Sequence, residues 1–530
     1  FFFFRPMATL TQKLVADPTD VEVGGELGRS VYQPKLKPFS APYLTIPEYL
    51  DDVLVALFGV VRIIIMIPFR IVFWPIEYML TAKFVPPAEG HQAAVVSDVS
   101  GIAPCIEELR VRFRQGSTRS YQWRMNQLRG LRRMIVENEE ELMKAYVSDL
   151  GKPKMDWFLE KSATLADLSH TTTHLHRLMQ PEYRQTPLWM QPGSTKIIRE
   201  PMGTVLIIGP YNYPLNLCVA PLAAALSAGC NVVLKPSEQM PAMSDFLAEY
   251  LPRYVDNDAL AIVLGGIPET TALLDIKFDK ILFTGSERVA KIIEKRVAGS
   301  LTPLCLELGG KAPVLIDSSA NLRVAARRIV QTKFVNCGAT CIAPDYILCE
   351  EKVHDKLVAE LVSQVEKFYG PDASVSPDYA KVLNSAHMDR LSGYLDDALA
   401  KGAVNATPSV TPASDRFFPP TVLTSANMSM NVMKEEIFGP ILPVISVGTI
   451  EEGLSQVLSM PAPLASYVFT ERSYAKALVS TAAPSGATVV NDCAVHALSP
   501  DIPFGGRGPA GMGAYHGREG FLLFSHTNNN

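Results

Sequence analysis

Short apolar runs punctuate the chain after about residue 200: TVLIIG (204–209), NVVLKP (231–236), KILFTG (280–285) and APVLI (312–316). Each has the length of a strand, and stretches of helical character separate them. Strands buried on both faces read as continuous apolar runs, and parallel neighbours need long crossover connections. This alternation therefore predicts an α/β fold built on parallel sheets with crossover helices. At 530 residues the chain is too long for one compact core and predicts two or three domains.

Composition narrows the function. Apolar residues make up 48% of the chain and charged residues 19%, which excludes a mostly disordered protein. The net charge of −5 offers no basic field for a phosphate backbone, so nucleic acid is not an expected partner. Arg129, Arg132 and Arg133 sit in a strongly helical stretch from Ile106 to Leu150. They read as a solvated helix face, because no aromatic platform accompanies them. The eight cysteines (105, 218, 230, 305, 337, 341, 349 and 493) show no CxxC and no paired-histidine spacing. That pattern argues against a metal site and for reduced thiols in a cytosolic or cytosol-facing protein.

The front of the chain differs from the rest. Residues 8–50 read as an extended arm, and Phe1–Phe4 and Asn528–Asn530 are repetitive ends left out of the fold expectation. From Val53 to Leu80 apolar runs are broken by Arg62, Pro68, Arg70 and Pro75. A single spanning helix would hold Arg62 in mid-bilayer at about 2.5–3.5 kcal/mol, and the prolines would break it. An in-plane or re-entrant membrane anchor lets the arginines snorkel and Trp74 and Tyr78 settle among headgroups. Burial as a helix pair inside an oligomer is the alternative.

Five segments carry candidate chemistry. GTVLIIGPYNYPLNL (203–217) places Asn212 past a strand's carboxyl end, where its amide can donate to an oxyanion, or can stabilise its own turn. VVLKPSE (232–238) ends in Lys235 and Glu238, suited to ribose hydroxyls or to a surface turn. ILFTGSERVAKII (281–293) turns at Gly285 and Ser286 into a helix start, an anion site. LCLELGGKAPVLI (304–316) puts Glu307 before two glycines; burial would raise it toward useful base strength, unless it pairs with Lys311. KFVNCGATCIAPDYILC (333–349) sets Cys341 in a small-residue turn. Backbone N–H groups there would partly activate the thiol, although most lone cysteines are buried fillers. The GxGxxG match at Gly506–Gly511 precedes no helix within a βαβ unit and is read as a decoy.

In this order and spacing the five segments resemble the NAD(P)-dependent aldehyde dehydrogenase superfamily, and most the class 3, fatty-aldehyde-dehydrogenase-like branch. The resemblance runs from Ile106 to His526 and includes RQGSTRSYQWRMNQLRGL, DLGKP, EEIFGPILPV (435–444), VVND (489–492) and PFGGRGPAGMGAYHGREGF (503–521). It implies Cys341 as nucleophile, Glu307 as the base that activates water and Asn212 as oxyanion donor. It implies Lys235 and Glu238 at the adenosine ribose, Gly285 and Ser286 at the pyrophosphate turn, and Glu436 and Phe438 at the nicotinamide ribose and ring. The chain departs from the family at Ala339 and Cys337, where Gln and Ser are common, and at Ala290, where Gly is common.

The fold so implied is two Rossmann-like parallel-sheet domains with a bridging β-arm. The expected boundaries are 1–95 for the extension with its membrane-associating segment 53–80, and 96–308 for the cofactor domain with arm strands near 185–200. The catalytic domain follows at 309–485, with a C-terminal return and oligomerisation segment at 486–530. The implied reaction is oxidation of a lipophilic aldehyde, long-chain or apocarotenal-like, to the acid through a cysteine thiohemiacetal and thioester. The hydride passes to NAD, with NADP as second possibility. A bridging strand near Trp189–Glu200 that pairs with the C-terminal region implies a homodimer. A membrane location with the catalytic body facing the cytosol follows from the anchor. The alternatives are a CoA-acylating dehydrogenase and a non-catalytic membrane scaffold on the same fold.

Overall fold

In the computed structural model the described residues are 84–87, 94–407 and 416–530. The chain divides into the units Phe1–Phe73 and Trp74–Asn530, and every described residue belongs to the second. The expected membrane segment 53–80 lies outside the described residues. Among these, no helix is long and apolar enough to cross a membrane.

The apolar runs fold as strands because every second side chain finds a different core. Along Thr204–Ile208, Val205 and Ile207 enter one hydrophobic cluster while Leu206 and Ile208 enter another across the sheet. Each such side chain contributes about 1.5–3 kcal/mol by leaving water. With strands numbered in chain order, the first sheet runs Ala94–Val96 (β1), Leu260–Val263 (β6), Asn231–Lys235 (β5), Thr204–Ile208 (β4), Lys280–Thr284 (β7), Leu304–Glu307 (β8), Gly511–Met512 (β16). All neighbours are parallel except β16, which is antiparallel to β8. After β4 the chain lays β5 and β6 to one side, then returns to place β7 and β8 on the other. The crevice outside the carboxyl ends at such a reversal is where open α/β sheets bind ligands.

The second sheet runs Val404–Asn405 (β11), Thr421–Thr424 (β12), Ile441–Val447 (β13), Tyr346–Glu350 (β10), Pro313–Ile316 (β9), Ala465–Phe469 (β14), Ala487–Val490 (β15). It is parallel except for β11. A third, antiparallel sheet joins Ser525–Asn529 (β17), Thr195–Pro201 (β3) and Glu182–Arg184 (β2).

Two local expectations change here. Asn528 and Asn529, left out as a repetitive end, pair in register with Ile198 and Ile197. The backbone edge of β3 supplies the hydrogen bonds, so the side chains need not be apolar. Arg132, expected on a solvated face, is buried on the helix Tyr121–Glu137 and donates to Ser169 Oγ at 3.4 Å. Its aliphatic stem tolerates that position.

Candidate active site

The candidate residues lie where strands end and helices begin. Asn212 follows β4, Lys235 ends β5, Gly285 and Ser286 follow β7, and Glu307 ends β8. Cys341 lies between the helix Leu322–Phe334 and β10, and Glu436 and Phe438 precede β13. Two sheets thus present their carboxyl-end loops to one another.

The turn before Cys341 is built from unusual backbone. Asn336, Cys337 and Gly338 are successive left-handed residues, with φ of 53°, 50° and 77°. For the two that carry a Cβ this costs about 1–2 kcal/mol each. Side-chain bonds hold the conformation: Asp156 Oδ2 accepts the Asn336 N–H at 2.9 Å, and Asn336 Nδ2 donates to the carbonyls of Asn212 (2.9 Å) and Ala339 (3.0 Å). Gly338 also lets two loops touch. A Cβ there would stand 2.3 Å from the Gly439 carbonyl oxygen, in the loop that carries Glu436 and Phe438.

Asn212 is buried, and its amide Nδ2 donates to the Ala339 carbonyl at 3.1 Å, two residues before Cys341. Next to it, the Tyr213 and Thr340 hydroxyls share a 2.7 Å hydrogen bond. Behind this seam lies a buried polar cluster that sequence reasoning missed. Lys152 donates to the Asn212 carbonyl and, at 2.9 Å, to the Tyr146 hydroxyl. Glu160 lies 3.8 Å from the Lys152 ammonium and accepts the Leu215 and Asn216 N–H groups at 2.8 and 3.0 Å. Burial lowers Lys152 to about 8 and raises Asp156 to about 6. The only sequence signal was the DLGKP turn, where Lys152 reads like any exposed turn lysine.

Of the eight cysteines Cys341 is the one whose residue is only partly buried; the other seven are buried. Burial of its sulfur, then the carboxylates of Glu436 and Glu307, push the thiol up to about 12, against the opposing pull of the Cys341 and Ile342 N–H groups. The expected partial activation by backbone N–H groups is thus outweighed, first by burial of the sulfur and then by the two nearby carboxylates, which oppose a further negative charge. In the resting protein Cys341 is a thiol.

Glu307 is 3% exposed. Its Oε1 accepts from Cys305 Sγ at 3.7 Å, whereas Oε2 is a buried acceptor with no partner among the described residues. Burial holds this carboxyl well above the usual range. The alternative pairing with Lys311 is not formed. Lys311 bonds instead to Asp345 and to the carbonyls of Val432 (2.9 Å) and Glu435 (3.0 Å), which leaves Glu307 uncompensated. The Gly506–Gly511 stretch leads into β16 rather than a helix, and its Gly511 pairs with Glu307 on the strand edge.

The two glycines after Glu307 make room for Glu436. A Cβ on Gly309 would stand 2.3 Å from both Glu436 carboxylate oxygens, and the Gly310 N–H points at that carboxylate. Burial and then the Asp345 charge raise Glu436 to about 8. Phe438 has a φ of 44° and meets Tyr211 edge-on at 6.0 Å.

The remaining residues line the first sheet's crevice. Lys235 is 2% exposed and bonds to Glu238 Oε2 at 2.8 Å, while the Glu238 side chain is 45% exposed. Ser286 caps the helix Glu287–Val297 by accepting the Val289 N–H at 3.4 Å. An ammonium beside a half-exposed carboxylate suits a ribose diol, and the helix N-terminus that Ser286 opens suits a pyrophosphate. These donors fit a dinucleotide.

The chain matches the Aldehyde dehydrogenase family over residues 82–529. It belongs to the aldehyde dehydrogenase family. It is 42% identical over 435 residues to "Aldehyde dehydrogenase family 3 member I1, chloroplastic" of Arabidopsis thaliana, covering 81% of this chain and 79% of that protein. It is 41% identical over 431 residues to "Aldehyde dehydrogenase, dimeric NADP-preferring" of Rattus norvegicus, covering 81% and 94%. Among solved structures it is similar to Staphylococcus aureus AldH in a substrate-bound state. The TM-score is 0.78 at 35% identity, over 81% of this chain and 93% of that one. The protein is an NAD(P)-dependent aldehyde dehydrogenase, and several of its relatives at about 40% identity are named as family 3 members.

Proposed function

We propose that this dehydrogenase oxidises lipophilic aldehydes, long-chain or apocarotenal-like, to carboxylic acids through a thioester on Cys341. One observation carries the reading: the one partly exposed cysteine lies within electrostatic reach of a buried carboxyl whose Oε2 has no partner among the described residues. The Cys341 thiol passes its proton to solvent as sulfur bonds to the aldehyde carbon, leaving a thiohemiacetal oxyanion. The Asn212 amide, which reaches the Cys341 turn at the Ala339 carbonyl, and the Cys341 N–H would hold that charge, each donor being worth about 2.7–4 kcal/mol in comparable sites. When bound, the nicotinamide would supply the hydride acceptor, and Glu436 and Phe438 would hold its ribose and ring. Glu307 then takes a proton from water, whose oxygen attacks the thioester carbon. The acid leaves, and the proton that Glu307 took from water passes to the departing sulfur.

NAD is the proposed cofactor, because the Glu238 carboxylate suits a free ribose hydroxyl; the Rattus relative named NADP-preferring makes NADP the second arm of the test. Homodimerisation is supported by the edges of β2 and β15, unpaired among the described residues, and by that relative's name. The arm strand β3 pairs with β17 of its own chain. Membrane binding through 53–80, with the body facing the cytosol, rests on the apolar run alone.

An aldehyde panel of rising chain length, run with NAD or NADP and with or without CoA, tests the reaction. The proposal expects CoA-independent acid formation with kcat/KM rising with chain length. Turnover only with CoA would establish the acylating alternative, and a flat or falling length profile would remove the lipophilic substrate. Liposome flotation of the full chain against a Val53–Leu80 deletion tests the anchor; equal behaviour would remove it.

A further inference from the structure

The segment 435–440 carries Glu436 and Phe438, yet it is irregular loop between a 3-10 turn and β13. Phe438 holds a left-handed φ of 44°, which a residue with a Cβ does not keep unless its surroundings impose it. The helix Ser385–Ala400 supplies that restraint. Arg390 Nη1 donates to the Ile437 carbonyl at 2.8 Å and Nη2 to the Phe438 carbonyl at 3.4 Å. These two carbonyls flank the Phe438 N–H and Cα, so one planar guanidinium fixes the peptide on either side of the ring-bearing residue. The guanidinium in turn lies 5.4 Å from the Tyr394 ring centroid, and the Tyr394 hydroxyl donates to Glu435 Oε2 at 3.2 Å. From the opposite side Asp345 Oδ1 accepts the Ile437 N–H at 3.1 Å. The same helix packs Leu391 against Gly439, where a Cβ would stand 2.3 Å from Leu391 Cδ2. It also places His387 edge-on to Tyr211 at 5.6 Å, and Tyr211 meets Phe438.

We propose that Arg390 is a positioning residue: it clamps the Ile437 and Phe438 carbonyls and so holds Phe438 and the adjoining Glu436 in the geometry that receives the nicotinamide end of the cofactor. This rests on the assignment of Glu436 and Phe438 to that end of the cofactor. Arg390 acts through the loop and touches neither substrate nor sulfur. A lysine at 390 keeps the charge but offers no fork for two carbonyls, and a methionine keeps the stem alone.

The test compares wild type, Arg390→Lys and Arg390→Met in three measurements. The first is hydrogen–deuterium exchange of the cofactor-free protein. Segment 435–440 is expected to lose at least about tenfold in protection in the methionine variant and less in the lysine variant, with β13 and β10 unchanged. The second is reduced-cofactor binding by fluorescence, where Kd is expected to rise about tenfold for methionine, as for one lost charged hydrogen bond, with partial rescue by lysine. The third is the steady state, where KM for cofactor rises more than KM for aldehyde. Unchanged loop protection together with unchanged cofactor Kd in both variants overturns the proposal. So does a loss spread evenly over the second sheet, which marks general destabilisation. If the methionine variant does not fold, the lysine variant decides by the same readings. Altered loop exchange with unchanged cofactor affinity, and unchanged affinity in Glu436→Gln, would instead refute the assignment of this loop to the cofactor.

Discussion

Replacing Glu307 by Gln isolates the step at which water enters. The two side chains have nearly the same volume, and Gln preserves an acceptor for Cys305 Sγ, which lies 3.7 Å from Oε1. What disappears is proton-accepting capacity at a site where Oε2 has no other partner. A positioned general base contributes about 10²–10⁴-fold, so hydrolysis of the thioester should fall by that factor. The electrostatic effect on sulfur runs the other way. Glu307 is one of the two carboxylates that push Cys341 up to about 12, so its neutral replacement lowers the thiol and does not hinder acylation. The expected stopped-flow trace is therefore a rapid burst of reduced cofactor, close to stoichiometric, followed by a steady rate at least about 100-fold below wild type. A steady rate within about threefold of wild type would refute the base assignment. A lost burst with normal cofactor binding would place Glu307 in acylation instead.

Three further outcomes follow from the same geometry. Because the resting thiol sits near 12, alkylation of Cys341 in cofactor-free protein should quicken about tenfold per pH unit from pH 7 to 10; a plateau near pH 8 would contradict this. Gly309→Ala puts a methyl 2.3 Å from both Glu436 oxygens, which must retreat by about 1 Å; cofactor KM should rise about tenfold, and an unchanged KM would separate Glu436 from cofactor binding. Asp167 is buried, accepts the Gly517 N–H at 3.4 Å and is raised by burial from 3.8 to about 6. A raised carboxyl stabilises the fold below its unfolded pKa and loses that contribution as pH climbs through about 6, an upper bound of about 3 kcal/mol. Asp167→Asn should therefore raise Tm at pH 7–8 and leave it unchanged near pH 4, and an equal effect at both pH values would contradict the burial argument.

The strands that position the site were legible because β4, β5, β7 and β9 are nearly continuous Val, Ile and Leu runs closed by Gly, Pro or a polar residue. Glu307 was legible too, since a carboxyl ending such a run demands either a partner or a use. Its lack of an ion pair was not, because Lys311 is near in sequence while its actual partner, Asp345, arrives from another element. For the same reason nothing in the sequence marked Asp156, Glu160 or Arg390, and the DLGKP motif gave Lys152 no role. Each acts on backbone carbonyls or N–H groups of a distant loop, and backbone partners leave no residue signature. Pairing of the arm with the C-terminal region was expected, but its reach through Asn528 and Asn529 was not, being a matter of main-chain register.

Intact-mass measurement of protein quenched during turnover of a long-chain aldehyde, followed by peptide mapping, reaches the centre of this account. An acyl group on the peptide containing Cys341 is expected, more abundant in Glu307→Gln and missing in Cys341→Ala. Brisk wild-type and Glu307→Gln turnover with position 341 never modified would contradict it.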